Sequence, residues 1–209
     1  MTEIPFKSED VIAAAGVHPL KVKNIFLYGS RVYGTANETS DWDIIMIASH
    51  MLAHEEKKIT VNGVLLNIHI FTPDYFKEEL NLHHPRALEC LFAPEWIILL
   101  NKVPLTQEIS VKRLVMDTLN ESRNRWKRAK RDILDYNFYS GQKSLFHSIR
   151  VLIFAIQVAE QGKIVDYSAA NYLYAQIVGI DEIDWDFYKE KFLPIKIELE
   201  EKLKTFHKQ

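Results

Sequence analysis

The stretch "IFLYGSRVYGTANETSDWDIIMI", residues 25–47, sets two apolar runs on either side of a glycine-serine turn and a pair of acids, Asp41 and Asp43, spaced by Trp42. Each run is short and continuously apolar, as expected of a strand buried on both faces. Residues at i and i+2 of a strand project to the same face, so two carboxylates point the same way at the mouth of a buried strand. Like charges placed together raise the energy of a site unless something positive meets them. The glycine ahead of them lets the backbone approach a ligand closely, and a helix starting at Ser30 turns its free amides and positive dipole end toward an anion. Two carboxylates can hold Mg²⁺ and leave its other positions to water and phosphate oxygens. A glycine-serine dipeptide alone is an ordinary turn. Its combination with the acids indicates a metal-bound nucleotide. No G-x-x-x-x-G-K-[ST] pattern occurs, which excludes a P-loop.

Composition narrows the setting. With 209 residues and 47% hydrophobic content the chain can bury one sizeable core or two small ones. Its 26 basic and 28 acidic residues leave a net charge of -2, without the polycation signature of a general nucleic-acid binder. Any such contact must come from a local patch, and "RNRWKRAKR", residues 123–131, is that patch, with six Lys or Arg residues around Trp126. It reads either as a track for a nucleic-acid backbone with the indole as a stacking surface, or as a solvated helix with an apolar anchor. The single cysteine, Cys90, allows no intrachain disulfide or multi-cysteine zinc site, and its apolar surroundings place it in the core. "MTEIPFKSED" lacks a basic segment followed by an apolar one, and no apolar run approaches membrane-spanning length. A soluble cytoplasmic chain with no membrane partner is the expectation.

Working outward, Ser8 reads as the N-cap of a helix from Glu9 to about Gly16. "VKNIFLYG" and "DWDIIMIA" read as central strands. In "KKITVNGVLLNIHIF" the Asn62-Gly63 pair between β-rich arms predicts a hairpin, because both turn residues must take positive φ. The second arm alternates: Val64, Leu66, Ile68 and Ile70 share one face, and Leu65, Asn67, His69 and Phe71 the other. Thr72-Pro73 opens a helix through about Leu80, Pro85 another through Phe92, and "EWIILL" closes the sheet as a last strand. From Leu105 the chain reads helical, with Gly141, Gly162 and Pro194 as punctuation. The fold class is α/β in the broad sense (α+β): a mixed β-sheet flanked by helices over 1–103, then an α-helical domain over 104–209.

A strand, Gly29-Ser30, and a spacer ending in Asp41-Trp42-Asp43 on the next strand resemble the signature of the DNA polymerase β-like nucleotidyltransferase superfamily. Together with "FTPDYFKEELNLHHPRALECLFAPEWIIL" and "KSLFHSIRVL", they are similar to the branch associated with RNA-repair gene neighbourhoods, over roughly residues 20–160. The resemblance implies an N-terminal nucleotidyltransferase fold that transfers a nucleoside monophosphate from a nucleoside triphosphate to an acceptor hydroxyl. The acceptor classes it leaves open are an RNA or tRNA end, a small molecule and a protein. Gly29, Ser30 and Arg31 would hold the phosphates, and Asp41 and Asp43 the Mg²⁺ (or Mn²⁺).

Family members carry a third carboxylate on a neighbouring strand, and the best match here is Asn67 in "LLNIHIF". An amide keeps one coordinating oxygen and cannot act as a base. His69, two residues on and on the same face, is a substitute ligand or base, or else a histidine held by hydrogen bonds. Asn67 also supports a second reading, a catalytically degenerate nucleotide- or RNA-binding module. Lys143, His147 and Arg150, at i, i+4 and i+7, share one helix face. The resemblance directs that face at phosphates or the acceptor; taken alone, it equally fits a solvated polar face. His83 and His84 have no metal-ligand spacing.

Overall fold

β1 (Val22–Tyr28) and β2 (Trp42–Ala48) pair antiparallel along their length, with Tyr28 opposite Asp43 and Phe26 opposite Ile45. In the computed structural model, which describes residues 4–208, they form the middle of a five-stranded sheet of order β3-β4-β2-β1-β5. Both strands are almost wholly buried, as their continuous apolar runs require. β3 (His54–Val61) and β4 (Val64–Phe71) form the hairpin, and its turn residues Asn62 and Gly63 have φ of 51° and 78°. The hairpin returns β4 parallel to β2, with Asp43 opposite Asn67 and Ile45 opposite His69. β5 (Ile98–Asn101) joins the far side of β1 antiparallel, which makes the sheet mixed. The edge strand β3 carries Glu55, Glu56, Lys57 and Lys58, charges that discourage pairing with another chain.

The registers sort the side chains by face. Ile25, Ile44, Met46, Leu66, Ile68 and Ile70 are buried on one side, where Phe6 meets Trp42 edge-on and Lys57 donates to the Ala15 carbonyl of α1 (Ser8–Ala15). On the other side Phe26, Ile45, Ile47 and Phe71 pack against Phe76, Leu80, Ala87 and Cys90 from α3 (Pro73–Asn81) and α4 (Pro85–Leu91). Thr72 caps α3 by accepting from the Tyr75 amide, ahead of Pro73 at the first helical position. Burial raises the Cys90 thiol well above its ordinary pKa, as befits a core cysteine. At α1 the cap lies one residue earlier than expected: Ser8 is already helical, and the Lys7 amide donates to Asp10.

The chain forms two compact units, 1–107 and 108–209, and Leu105 packs on the sheet core of the first. The second unit, taken by itself, contains α5 (Val111–Leu134), α6 (Phe138–Gln161), α7 (Asn171–Ile177) and α8 (Trp185–Thr205). Leu145, Phe146, Ile149, Leu173, Tyr188 and Phe192 fill its core. Trp126 belongs to this packing: its ring meets Trp185 edge-on at 5.3 Å, so it is the apolar anchor of the basic segment and not a free stacking surface. Arg125 pairs with Glu121, and Arg128 and Arg131 with Asp132, so half of the six cations face acids of their own helix. Gly162 ends α6 with φ of 73°, as expected.

Two other residues read as punctuation fall inside helices. Pro194 lies within α8 on an exposed turn, where the carbonyl it leaves unbonded can face water. Gly141 lies in the first turns of α6, where α5 comes close. Among the described residues no helix is long and apolar enough to cross a membrane.

Gly141 measures that closeness. A Cβ there would stand 2.5 Å from Ile133 Cγ1, 3.0 Å from the Ile133 nitrogen and 3.1 Å from the Ala129 oxygen. Alanine improves helix propensity by about 1 kcal/mol, whereas overpacking costs about 1–3 kcal/mol. Two of the three contacts are backbone and cannot rotate away, so the clash wins. Gly141→Ala is expected to lower the stability of the helical unit in a denaturant titration; an unchanged or raised midpoint would contradict this packing.

Candidate active site

The end of β1 and the start of β2 meet at one glycine. Gly29 has φ of 79°, and a Cβ on it would stand 2.1 Å from Asp43 Oδ2, 2.8 Å from Cγ and 2.9 Å from Cβ. The Asp43 side chain therefore lies directly over the Gly29 backbone, in space that only glycine leaves open. The chain then makes a single helical turn, α2 (Ser30–Tyr33), closed by Gly34 at φ of 78°. The amides of Val32 and Tyr33 return to the Gly29 carbonyl. Those of Ser30 and Arg31 head the turn, where helical geometry provides no intrahelical acceptor. The hydroxyl of Tyr33 donates to the buried Glu89 of α4 at 2.6 Å, tying this turn to the helical layer.

Asp41 stands just before β2, and its strand-like spacing from Asp43 is maintained by Arg31. The Arg31 Nε donates to the Asp41 carbonyl at 3.2 Å, one Nη donates to the Ser40 carbonyl, and the guanidinium stacks 4.5 Å from the Trp42 ring. Trp42 points to the opposite face, 5% exposed between Arg31 and Phe6. The D-W-D pattern thus keeps two acids out by anchoring the residue between them.

The registers place Tyr28, Asp43, Asn67 and Lys58 in one row across β1, β2, β4 and β3. Asn67 Nδ2 donates to Asp43 Oδ1 at 3.1 Å, which puts the residue matched to a third acid beside the acids. Asn67 is 9% exposed, and its Oδ1 is buried without a hydrogen-bond partner among the described residues. In the next row His69 Nε2 lies 3.3 Å from Asn67 Nδ2, and His69 Nδ1 lies 3.4 Å from His54 Nε2 on β3. The rings of His54, His69 and Phe71 stack nearly parallel. Burial lowers the His69 pKa below the ordinary histidine value, with Glu56 opposing and His54, Arg86 and Lys58 adding to it. The same cause lowers His54. His54 was missed in the sequence because only the β3–β4 register, opposite Phe71, brings it here. Among the described residues no three His, Cys, Asp or Glu side chains converge as a metal nest.

In the helical unit, considered by itself, the row Lys143, His147 and Arg150 is not a solvated face. Arg150 is 2% exposed, and Lys143 and His147 are partly buried. Lys143 Nζ lies 5.2 Å from the Tyr139 ring and the Arg150 guanidinium 5.2 Å from that of Phe154. Burial, and then the charges of Arg150, Arg125 and Lys143, hold His147 well below the ordinary histidine pKa. His147 Nδ1 is buried without a hydrogen-bond partner among the described residues. Arg125 joins this group from α5; only helix packing brings it there. His84 pairs with the buried Glu79 at 3.2 Å, and Arg86 reaches the same carboxylate at 2.8 Å.

Residues 16–136 match the nucleotidyltransferase domain family, over half of the chain. Two solved structures are similar to the chain at low identity, and the first shares its fold. One is spectinomycin adenyltransferase AAD(9) from Enterococcus faecialis, determined with ATP and spectinomycin: it is 14% identical, with 95% of this chain and 100% of that chain covered and a TM-score of 0.50. The other is a nucleotidyltransferase-like protein from Exiguobacterium sibiricum 255-15, 14% identical, with 95% of this chain and 73% of that chain covered and a TM-score of 0.39. No curated protein matches the chain.

Gly29 provides the test of this geometry. Gly29→Ala must strain a positive φ and displace Asp43, a combined cost on the order of 1–3 kcal/mol. A thermal melt should show the loss, and pairing it with Asp43→Ala should recover part of it, since two of the three contacting atoms are then gone. Strict additivity of the two substitutions would mean that the contact does not exist.

Proposed function

The chain belongs to the nucleotidyltransferase domain family, and from that premise we propose that it transfers a nucleoside monophosphate from a nucleoside triphosphate to an acceptor hydroxyl. The acceptor hydroxyl oxygen attacks the α-phosphorus, the bond from that phosphorus to the bridging oxygen breaks, pyrophosphate leaves with the electron pair, and the hydroxyl proton is released to water. The observation that carries this reading is the placement of Asp43 over the Gly29 turn and beside Asn67. A phosphate chain at the Ser30 and Arg31 amides lies next to the acids that would hold its metal.

The donor set fits a divalent ion. Two carboxylates and a buried amide oxygen with no other partner are the hard oxygen donors that Mg²⁺ or Mn²⁺ selects. Asp41 and Asp43 would hold the ion, which when bound neutralises phosphate charge and orients the α-phosphorus. Arg31 holds the Asp41 segment in place, while Gly29 and Ser30 bind phosphate through the backbone. Asn67 supports Asp43, and His69 adjoins it. On the helical unit Lys143, His147 and Arg150 form a cationic group suited to phosphates or to an anionic acceptor. RNA or tRNA ends, small molecules and protein hydroxyls are the acceptor classes. Trp126 packs edge-on against Trp185, and Arg123, Lys127 and Lys130 are exposed on the same helix.

A second reading rests on Asn67. Its amide fills the place of the third carboxylate and already satisfies Asp43, which suits a module that binds nucleotide without turnover.

Incubation with Mg²⁺ and labelled triphosphates, with RNA ends and small-molecule alcohols as separate acceptors, decides between the two. Pyrophosphate release supports transfer; binding without release supports the silent module. Asp43→Asn should weaken Mg²⁺-dependent nucleotide binding by at least about tenfold, the lower end of what even an outer-shell partner contributes. An unchanged Mg²⁺ dependence would remove the metal assignment. Asn67→Asp sets a charge against Asp43 and is expected to lower the apo melting temperature by about 3 °C or more, roughly 1 kcal/mol for a chain of this size. Mg²⁺ should restore it, and a melting temperature indifferent to both changes would separate Asn67 from the acids.

A further inference from the structure

The orientation of the Asn67 carboxamide follows from its neighbours. The Asp43 carboxylate accepts only, so the atom 3.1 Å from its Oδ1 must be the Asn67 nitrogen; an amide oxygen there would face another acceptor. That nitrogen also lies 3.3 Å from His69 Nε2, and because an amide N–H can only donate, a hydrogen bond there requires Nε2 to carry a lone pair. A neutral His69 then bears its proton on Nδ1, which lies 3.4 Å from His54 Nε2 and donates to it. His54 in turn bears its proton on Nδ1. The His54 ring packs on Phe71 with centroids 4.4 Å apart and lies within 8° of the His69 plane, the near-coplanar arrangement that a hydrogen bond between the two rings needs. One polarised chain thus runs from the edge strand to the acid: His54 accepts from His69, His69 from Asn67, and Asn67 also donates to Asp43. The one polar atom of the chain's amide left over is Asn67 Oδ1, buried and without a hydrogen-bond partner among the described residues.

We propose that His54 and His69 are positioning residues that lock the Asn67 carboxamide with its nitrogen on Asp43 and its oxygen free for a ligand. In this site a neutral amide oxygen, aimed by two histidines, takes the place of a third carboxylate. Both ring nitrogens of His69 are engaged, so it acts through Asn67 and does not take the acceptor's proton. The ligand class for Oδ1 is a divalent cation. This rests on the nucleotidyltransferase reading for its consequence, though not for its geometry.

Long-range ¹H–¹⁵N spectra of the histidine rings, recorded on the apo protein near pH 7.5, test the geometry without metal or nucleotide. His54→Leu and His69→Gln identify the two signals. Both rings in the Nδ1–H form are the expected result; His69 in the Nε2–H form, or averaging between tautomers, overturns the lock. A titration with Mg²⁺ alone, followed by thermal shift, tests the consequence. His54→Leu should raise the half-maximal Mg²⁺ concentration about tenfold, as loss of an outer-shell partner does. His54→Gln, which keeps an acceptor toward the His69 N–H, should stay close to the unmodified protein. A leucine variant that titrates like the unmodified protein overturns the positioning role. Where the unmodified protein shows no Mg²⁺ shift and consumes no triphosphate, the nucleotidyltransferase reading fails, and the ring tautomers alone still decide the lock.

Discussion

The contact between Asp43 and the bare backbone of Gly29 is the constraint around which the first unit is built. Antiparallel pairing brings the last residue of β1, Tyr28, opposite Asp43, so the residue that follows the strand, Gly29, passes beneath the Asp43 side chain. Any Cβ would fill that space, and any L-residue would resist a φ of 79°. With glycine there the chain can turn sharply into α2, and Arg31 on that turn reaches back to the carbonyls of Ser40 and Asp41. Trp42, gripped between Arg31 and Phe6, then sets the phase of β2, and with it the face on which Asp43 stands.

The same face changes character along its length. Phe26, Ile45, Ile47 and Phe71 lie under α3 and α4, where apolar burial is the stabilising term. At Asp43 and Asn67 it becomes polar, and electrostatics decides the outcome. Two carboxylates about 4 Å apart repel by about 4 kcal/mol at an effective dielectric near 20. An amide donating to a carboxylate contributes about 1.5–3 kcal/mol in the opposite sense. A third acid at position 67 would make the site dependent on a cation for its stability, whereas asparagine lets Asp43 keep its place without one. The substitution therefore exchanges a base for an apo state that holds its own geometry, and this is why Asn67 is compatible both with a working site and with a silent one.

How much of this was legible in the sequence depends on the range of the force involved. The two buried strands, the Asn62-Gly63 hairpin and the Thr72-Pro73 cap are encoded by neighbours, and they stand where the pattern puts them. Period-two parity placed Asn67 and His69 on one face, and the register with β2 turns that parity into contact with Asp43. What was not legible depends on packing between distant segments. Gly141 and Pro194 carry the local signature of helix ends, yet one serves close approach of α5 and the other sits on a turn open to water. Trp126 looks available among six cations until Trp185, far along the chain, covers it. Leu105 lies beyond a Val-Pro pair that reads as a boundary, and it packs on the sheet core of the first unit.

The helical unit has its own electrostatic logic. A histidine of ordinary pKa set among Lys143, Arg125 and Arg150 has to be neutral, because a proton there would add a fourth positive charge in a partly buried setting. Burying cations together costs energy unless anions compensate them. Glu121 answers Arg125 from the same helix. His147 Nδ1, by contrast, is buried without a hydrogen-bond partner among the described residues, in a field that every charge shifting its pKa makes more positive.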